Sequence, residues 1–407
     1  MSRSASSRHP ALRGLFTRFV GLLLGLVIAS TIIVGLQLPL LHPRSTTHVT
    51  LTAISSSSPD AVLQWPSLGS AALDIPALGV LASHHNAVVP IASLTKMMTA
   101  YVALKQLPLG LGETGPCHTV TDDDVLTYQQ LVGIDESSVP VTVGEQLCEI
   151  DLLNGLLVHS AGNYAVMLAN MVAGSSDAFI ADMNEEVITL GLTGTSYADV
   201  TGYSPQSVST ALDQARLATL LMESPLVRSI VDQQSVTLPF AGTVSSYTPD
   251  VGYDNVIGVK SGRTGEAGGC DVMAMTFQDG TTTHVAYAVV LGQRGGNLLT
   301  PAGEAALALD NSAVASRVSY VFQKDQVIGS ISWGTHHVTF GLTSPHALWW
   351  WPAEGAPKIS TVVRTFTSRI HRGEKVGELR LVGLTTRTFV LRALGTASPP
   401  TLLQRLR

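Results

Sequence analysis

The pattern of apolar and polar positions divides the chain into three parts. An uncharged apolar run covers Phe19 to Leu41. Alternating and apolar runs around Ala71 to Leu81 predict strands, helical spacing follows in four segments between Ile150 and Met222, and strand patterns resume at Val256. A last helix is expected from about Pro301 to Phe322. The pattern therefore predicts an α/β domain whose helical part is inserted between strands.

Residues 323–396 carry a different pattern. Short alternating runs such as VIGSISW, HVTFGL and KVGELRLV are separated by turn residues, which predicts a small all-β domain. We expect a multidomain α/β protein, with the main domain at residues 65–322, the all-β accessory domain at 323–396 and a tail at 397–407.

The N-terminal region has the composition of an export segment. Residues 1–18 carry four arginines and no acid, and the apolar run at 19–41 is close to the roughly 20 residues that cross a bilayer. It is either an uncleaved anchor or a cleaved signal. The anchor reading gives a cytoplasmic basic tail, a Ser/Thr-rich tether at 42–64 and the remaining domains on the extracytoplasmic side of the cell membrane. Cleavage would release them to the cell wall.

Charge and cysteine usage agree with export. Residues 44–310 carry 8 Lys and Arg against 26 Asp and Glu, and no nucleic-acid recognition motif is present. Cys117 and Cys148 flank a segment with strand character at both ends, so they form either a disulfide or two buried free thiols. None of the 12 histidines has a zinc-ligand spacing with a second donor, so we expect no metal and no cofactor.

Ser93 and Lys96 stand three positions apart at the start of a predicted helix. Residues with this spacing share one helix face, so the hydroxyl and the amine can share a proton. The helix that follows is largely apolar, and a lysine at the head of a buried helix requires a chemical reason. We therefore interpret Ser93 as a nucleophile and Lys96 as its activating base.

Two later segments complete a candidate site. Ser160 is followed at short range by the amide of Asn163, in the run LLVHSAGNYA. Lys260, Ser261 and Gly262 place a cation and a hydroxyl on a strand whose glycine allows a substrate backbone to come close. The order of the three groups is more specific than any one of them.

With these motifs the chain resembles the serine D-alanyl-D-alanine carboxypeptidases, the low-molecular-mass penicillin-binding proteins. The resemblance covers about Trp65 to Phe322 and includes PIASLTKMMTAYVAL and GVKSGRTGEAGGC. It implies a penicillin-binding-protein or β-lactamase-like transpeptidase domain with an antiparallel sheet, and a substrate that is a peptidoglycan stem peptide ending in D-Ala-D-Ala. β-Lactams would be covalent inhibitors.

The resemblance also implies a role for each site residue. Ser93 would be acylated, Lys96 would deprotonate it, and Ser160 would relay a proton to the departing D-alanine. Lys260 and Ser261 would orient the terminal carboxylate of the substrate. The backbone N–H groups of Ser93 and Arg263 would bind the oxyanion.

One departure from the family pattern bears on turnover. The second motif of the family is Ser, any residue, then Asn, whereas Gly162 occupies the Asn position here and Asn163 follows it. Either activity is reduced, or Asn163 swings into the site through flexibility at Gly162. The functions left open are an active carboxypeptidase, a weakly active or inactive penicillin-binding relative, and a β-lactamase-like acyl hydrolase.

Overall fold

The computed structural model describes residues 44–50, 56–57, 63–78, 80–279, 282–315, 318–350, 358–382, 386–401 and 404. The α-helices in these ranges, in chain order, are α1 Thr95–Gln106, α2 Asp122–Gly133, α3 Glu149–Leu157, α4 Gly162–Ala173, α5 Ser176–Leu190, α6 Ala211–Leu221, α7 Pro225–Val231 and α8 Leu299–Ala315. Short 3-10 helices cover Pro76–Leu78 and Ala92–Leu94.

The strands are likewise numbered in chain order. They are β1 Thr46–Val49, β2 Ser56–Ser57, β3 Ser70–Ile75, β4 Val80–His84, β5 Val89–Pro90, β6 Cys117–Thr119, β7 Gln146–Cys148, β8 Val208–Ser209, β9 Ser235–Leu238, β10 Gly242–Ser245, β11 Val256–Thr264, β12 Gly268–Asp279, β13 Thr282–Gln293, β14 Val318–Phe322, β15 Val327–Trp333, β16 His336–Gly341, β17 His346–Trp350, β18 Lys358–Val363, β19 Lys375–Val382 and β20 Thr386–Ala393.

A five-stranded sheet forms the centre of the main domain. Its strand order is β11-β12-β13-β3-β4 and every neighbouring pair is antiparallel. Helices α1 to α7 all lie between β4 and β11 in sequence, as the inserted helical part was predicted to do. The structure thus confirms a mixed α/β fold with an antiparallel sheet and a strand-rich C-terminal region.

Both faces of this sheet are covered, because alternate residues of a strand point to opposite sides. On β12, Val272 and Ala274 belong to the large core shared with helices α1 to α7. Met273 between them packs into a second cluster with Leu309 of α8. The sheet is therefore buried on both sides, which explains why its strands read as nearly continuous apolar runs.

The C-terminal region contains a six-stranded sheet, β1-β15-β16-β20-β19-β18, and a three-stranded sheet, β17-β14-β2. Its core includes Phe322, Ile331, Phe340, Leu379 and Leu391. This core is separate from the clusters of the main domain.

Two boundaries differ from the sequence prediction. Thr46–Val49, expected within a flexible tether, forms an edge strand that pairs with β15, and three of its four residues are β-branched. The last helix ends at Ala315 rather than at Phe322. Val318–Phe322 instead forms a strand that pairs with His346–Trp350, because its β-branched and aromatic residues favour extended backbone.

The predicted basic tail at 1–18 and the apolar run at 19–41 lie outside the described residues. Within the described part of the chain, no single helix has the length and apolar character needed to cross a bilayer. Helices α4 and α5 reach that criterion only as a pair, with a bend of 83° between them.

Of the two alternatives for Cys117 and Cys148, the structure has the disulfide. The two residues are directly opposite each other in the antiparallel pair of β6 and β7. The crosslink closes a segment that contains helix α2 and the loop after it.

We expect the double variant Cys117→Ala/Cys148→Ala to lose about 2–4 kcal/mol of unfolding free energy, because closing a loop of this length restricts the unfolded chain. Urea unfolding of the variant, beside oxidised and reduced wild type, measures this loss. A variant as stable as the oxidised wild type would contradict the prediction.

Candidate active site

The Ser93 hydroxyl and the Lys96 amine are in contact, as the spacing predicted. Ser93 lies in the 3-10 turn Ala92–Leu94, which continues directly into helix α1. Lys96 Nζ lies 2.8 Å from Ser93 Oγ. Ala92 has a positive φ of 49°, a conformation that L residues rarely adopt, so the turn before the nucleophile is held by its surroundings.

Lys96 is completely buried and donates to two further acceptors. Its Nζ lies 2.7 Å from Glu136 Oε1 and 2.9 Å from the carbonyl oxygen of Thr201. An ammonium group has three donors, and the three contacts use all of them. A buried charge without partners raises the free energy of the folded protein strongly. The three hydrogen bonds offset this desolvation, so a buried lysine is stable at the base of the site.

Glu136 was not among the residues predicted from sequence. It lies 40 positions from Lys96, in the loop after α2, and its side chain is 8% exposed. The signal available in the sequence was indirect. A motif that has lost its amide at Gly162 leaves the lysine in need of another acceptor.

Ser160 lines the same cleft as Ser93, as predicted. It stands between α3 and α4 with a positive φ of 61° and is almost fully buried. This conformation is uncommon for a residue with a side chain. The serine is therefore fixed at the cleft by the packing of the two helices around it.

Asn163 was expected to contribute to the substrate site, and in the structure its side chain binds the backbone of Val139. This side chain is fully buried, accepts a hydrogen bond from the Val139 N–H (3.1 Å) and donates to the Val139 carbonyl (2.9 Å). Both ends of the amide are thus used to hold the loop that follows Glu136. Moving Asn163 into the cleft would leave buried backbone groups of Val139 without partners.

Lys260 and Ser261 occupy strand β11, but they have different positions relative to the cleft. Ser261 lines it and donates its hydroxyl to the Tyr247 carbonyl at 2.8 Å. Lys260 is fully buried beside it and donates to the Ser261 carbonyl at 2.7 Å. Burial, together with repulsion from Lys96, lowers the pKa of Lys260 to about 7.

Gly262 makes a close contact within the protein itself. A Cβ at this position would lie 2.6 Å from the backbone nitrogen of Ser93 and 3.2 Å from the Ala92 Cβ. The glycine therefore allows β11 to approach the nucleophile turn itself. The two predicted oxyanion donors, the N–H groups of Ser93 and Arg263, belong to segments on the two sides of this contact.

The cleft between these segments has a volume of about 460 Å³. Its walls include Ser93, Ser160, Ser261 and Arg263, together with Glu136. One cleft thus contains a nucleophile in contact with a lysine, a second serine, and a strand that carries a cation. These are the groups that a serine acyl-transfer enzyme requires.

The fold is similar to that of penicillin-binding protein 6B from Escherichia coli, with a TM-score of 0.60 and 22% identity, covering 83% of this chain and 100% of that one. Residues 74–295 match the family model of peptidase S11, D-alanyl-D-alanine carboxypeptidase. The chain belongs to this family.

Two relatives show how far the likeness extends. A D-alanyl-D-alanine endopeptidase of Pseudomonas aeruginosa is 34% identical over 206 residues, which are 47% of this chain and 60% of that protein. The D-alanyl-D-alanine carboxypeptidase DacF of Bacillus subtilis is 27% identical over 195 residues, 44% of this chain and 46% of that protein. The chain thus spans about half the length of the curated relatives it matches.

We expect Gly262→Ala to slow acylation of Ser93 by a fluorescent penicillin at least about tenfold, since overpacking at a tight contact costs about 1–3 kcal/mol. Gly133→Ala is the matched control, because a Cβ there meets nothing within 4 Å and the residue does not line the cleft. Labelling rates of the two variants test the contact. Equal rates for both would contradict it.

Proposed function

We propose that this protein is a serine D-Ala-D-Ala carboxypeptidase that removes the terminal D-alanine from peptidoglycan stem pentapeptides. The observation that carries the proposal is the 2.8 Å contact between Lys96 Nζ and Ser93 Oγ at the base of the cleft. The family membership of residues 74–295 supports the same activity.

In the proposed reaction, the Lys96 ammonium first loses a proton to solvent. Its neutral amine then takes the proton of Ser93, and the serine oxygen attacks the carbonyl carbon between the two D-alanines. Backbone N–H groups of Ser93 and Arg263 stabilise the oxyanion. Ser160 relays the proton to the amine of the departing D-alanine. Water then attacks the acyl-enzyme, and the shortened peptide leaves with its new carboxylate.

Recognition of the substrate depends on β11. Ser261 lines the cleft, and the buried Lys260 beside it supplies positive charge for the terminal carboxylate of the peptide. β-Lactams present a strained amide and a carboxylate in a similar arrangement, so they acylate the same serine in this proposal.

We also propose that the protein works outside the cytoplasm, either anchored through residues 19–41 or released after their cleavage. The four arginines that precede this apolar run support that orientation. The Cys117–Cys148 disulfide supports an oxidising compartment.

A cross-linked peptide is a second candidate substrate, because the Pseudomonas aeruginosa relative is described as an endopeptidase. Cleavage of a cross-link uses the same acyl-enzyme, with a longer leaving group. The two activities are separated by comparing a pentapeptide with a cross-linked peptide dimer as substrates.

We expect the purified full chain to release D-alanine from a pentapeptide, and Ser93→Ala to reduce release about 1,000-fold or more. Ser176→Ala, on the half-buried first residue of α5 and away from the cleft, is the control and should stay within about twofold. Mass spectrometry of the products measures both.

Other outcomes of this assay would contradict the proposal. Stable penicillin labelling without release of D-alanine would indicate a penicillin-binding protein that lacks peptidase turnover. Rapid hydrolysis of the penicillin would indicate a β-lactamase-like enzyme.

Preference for a substrate carboxylate should decline as the pH rises through about 7, because the pKa of Lys260 is lowered to about 7 and the neutral amine no longer attracts an anion. We expect kcat/KM for a pentapeptide, divided by that for its C-terminal amide, to fall above this pH. In Lys260→Met the ratio should be low and independent of pH. A constant ratio in the wild type across about pH 6 to 9 would contradict the assignment.

A further inference from the structure

Gly162 and Glu136 fill one space between them. A Cβ built on Gly162 would lie 2.9 Å from both Cγ and Oε1 of Glu136 and 3.3 Å from the Ser137 carbonyl. Gly162 is the first residue of α4 and its φ is not positive, so its backbone conformation does not require glycine. The requirement is space, and the Glu136 side chain uses that space.

The carboxylate in this space is the acceptor of Lys96. Glu136 Oε1 lies 2.7 Å from Lys96 Nζ, and both side chains are nearly excluded from solvent. The same amine lies 2.8 Å from the Ser93 hydroxyl. Glu136 therefore fixes the direction in which the lysine points, and with it the distance between base and nucleophile.

The loop that carries Glu136 is itself held in place. The Gly162 N–H donates to the Ser137 carbonyl at 2.6 Å, and the Asn163 amide binds both backbone groups of Val139. On the other side, the Glu136 N–H donates to the Leu131 carbonyl at the end of α2. The carboxylate is thus presented by a preorganised segment and not by a freely moving loop.

We propose that Glu136 is the positioning residue of Lys96, that it replaces the amide missing from the second motif, and that Gly162 is glycine because a side chain there would displace it. This inference rests on the proposed function, since it concerns the base of the same acyl transfer. In this inference Glu136 compensates for the amide that is lost at Gly162.

A carboxylate differs from an amide in two ways that matter to the reaction. An ionised carboxylate only accepts hydrogen bonds, so it holds Lys96 but offers no N–H to the substrate. It also carries a negative charge, so its contact with the Lys96 ammonium is a charge-assisted hydrogen bond, which is stronger than the one an amide oxygen would make.

A mutant cycle between positions 136 and 162 tests the proposal, with the rate of acylation by a fluorescent penicillin as the readout. We expect Glu136→Ala and Gly162→Asn each to slow labelling at least about tenfold. The double variant Glu136→Ala/Gly162→Asn should recover to within about threefold of wild type, because the new amide occupies the vacated space. Exposed Glu185→Ala and Gly133→Asn, whose Cβ meets nothing within 4 Å, are the controls.

Two results of the cycle would overturn the proposal. One is labelling of Glu136→Ala within about twofold of wild type. The other is a double variant as slow as the product of the two single effects, which would show that the positions act independently.

Glu136→Gln separates positioning from folding, because it keeps the size of the side chain and one acceptor oxygen. We expect it to be labelled at least about threefold faster than Glu136→Ala, because one acceptor oxygen still faces Lys96. A variant as slow as Glu136→Ala would contradict the inference.

If the wild type is not labelled at all, the proposed function is contradicted. The interaction between Glu136 and Lys96 can then still be tested by urea unfolding. Glu136→Gln should then raise the unfolding equilibrium constant at least about tenfold in the wild type, but less than about threefold in Lys96→Met. Equal effects in both backgrounds would show that Glu136 does not act through Lys96.

Discussion

The burial of the Lys96 ammonium is the constraint on which the site depends. Its three acceptors come from three separate parts of the chain, Ser93 in the turn before α1, Glu136 after α2, and Thr201 between α5 and α6. Removing one partner of a buried ion pair typically costs about 3–5 kcal/mol. One amine thus ties three segments to a single geometry, and the same geometry places it against the nucleophile.

Close backbone approaches complete the site. Gly262 brings β11 against the Ser93 nitrogen, and Gly202, beside the Thr201 carbonyl, has room only for a hydrogen because a Cβ would overlap the Ala92 carbonyl oxygen. Ala92 and Ser160 hold positive φ values at the same cleft. Unfavourable backbone conformations thus occur at the residues assigned to the reaction, where the surrounding packed core holds them in place.

Sequence reasoning predicted what is local and periodic. The i and i+3 spacing of Ser93 and Lys96 fixes their contact, and the run of strands from Val256 follows from continuous apolar residues. Glu136 could not be predicted in this way. It reaches Lys96 only through tertiary packing, and the glycine that admits it carries no signal of what fills the space.

Other differences have the same origin. Asn163 has the residue type of a motif amide, but its direction is decided by its two hydrogen bonds with the buried backbone of Val139. Thr46–Val49 was predicted as part of a tether because the segment is rich in Ser and Thr, and its pairing with β15 makes it a strand. The pattern of a single sequence does not specify which distant strands pair with each other.

The central claim is that Lys96, held by Glu136, activates Ser93 to form an acyl-enzyme. Mass spectrometry of the full chain after brief exposure to benzylpenicillin, followed by peptide mapping, tests it most directly. The account predicts a single adduct on the peptide that contains Ser93, and almost none in Lys96→Met under the same conditions. An adduct on another residue, or equal modification of Lys96→Met, would contradict it.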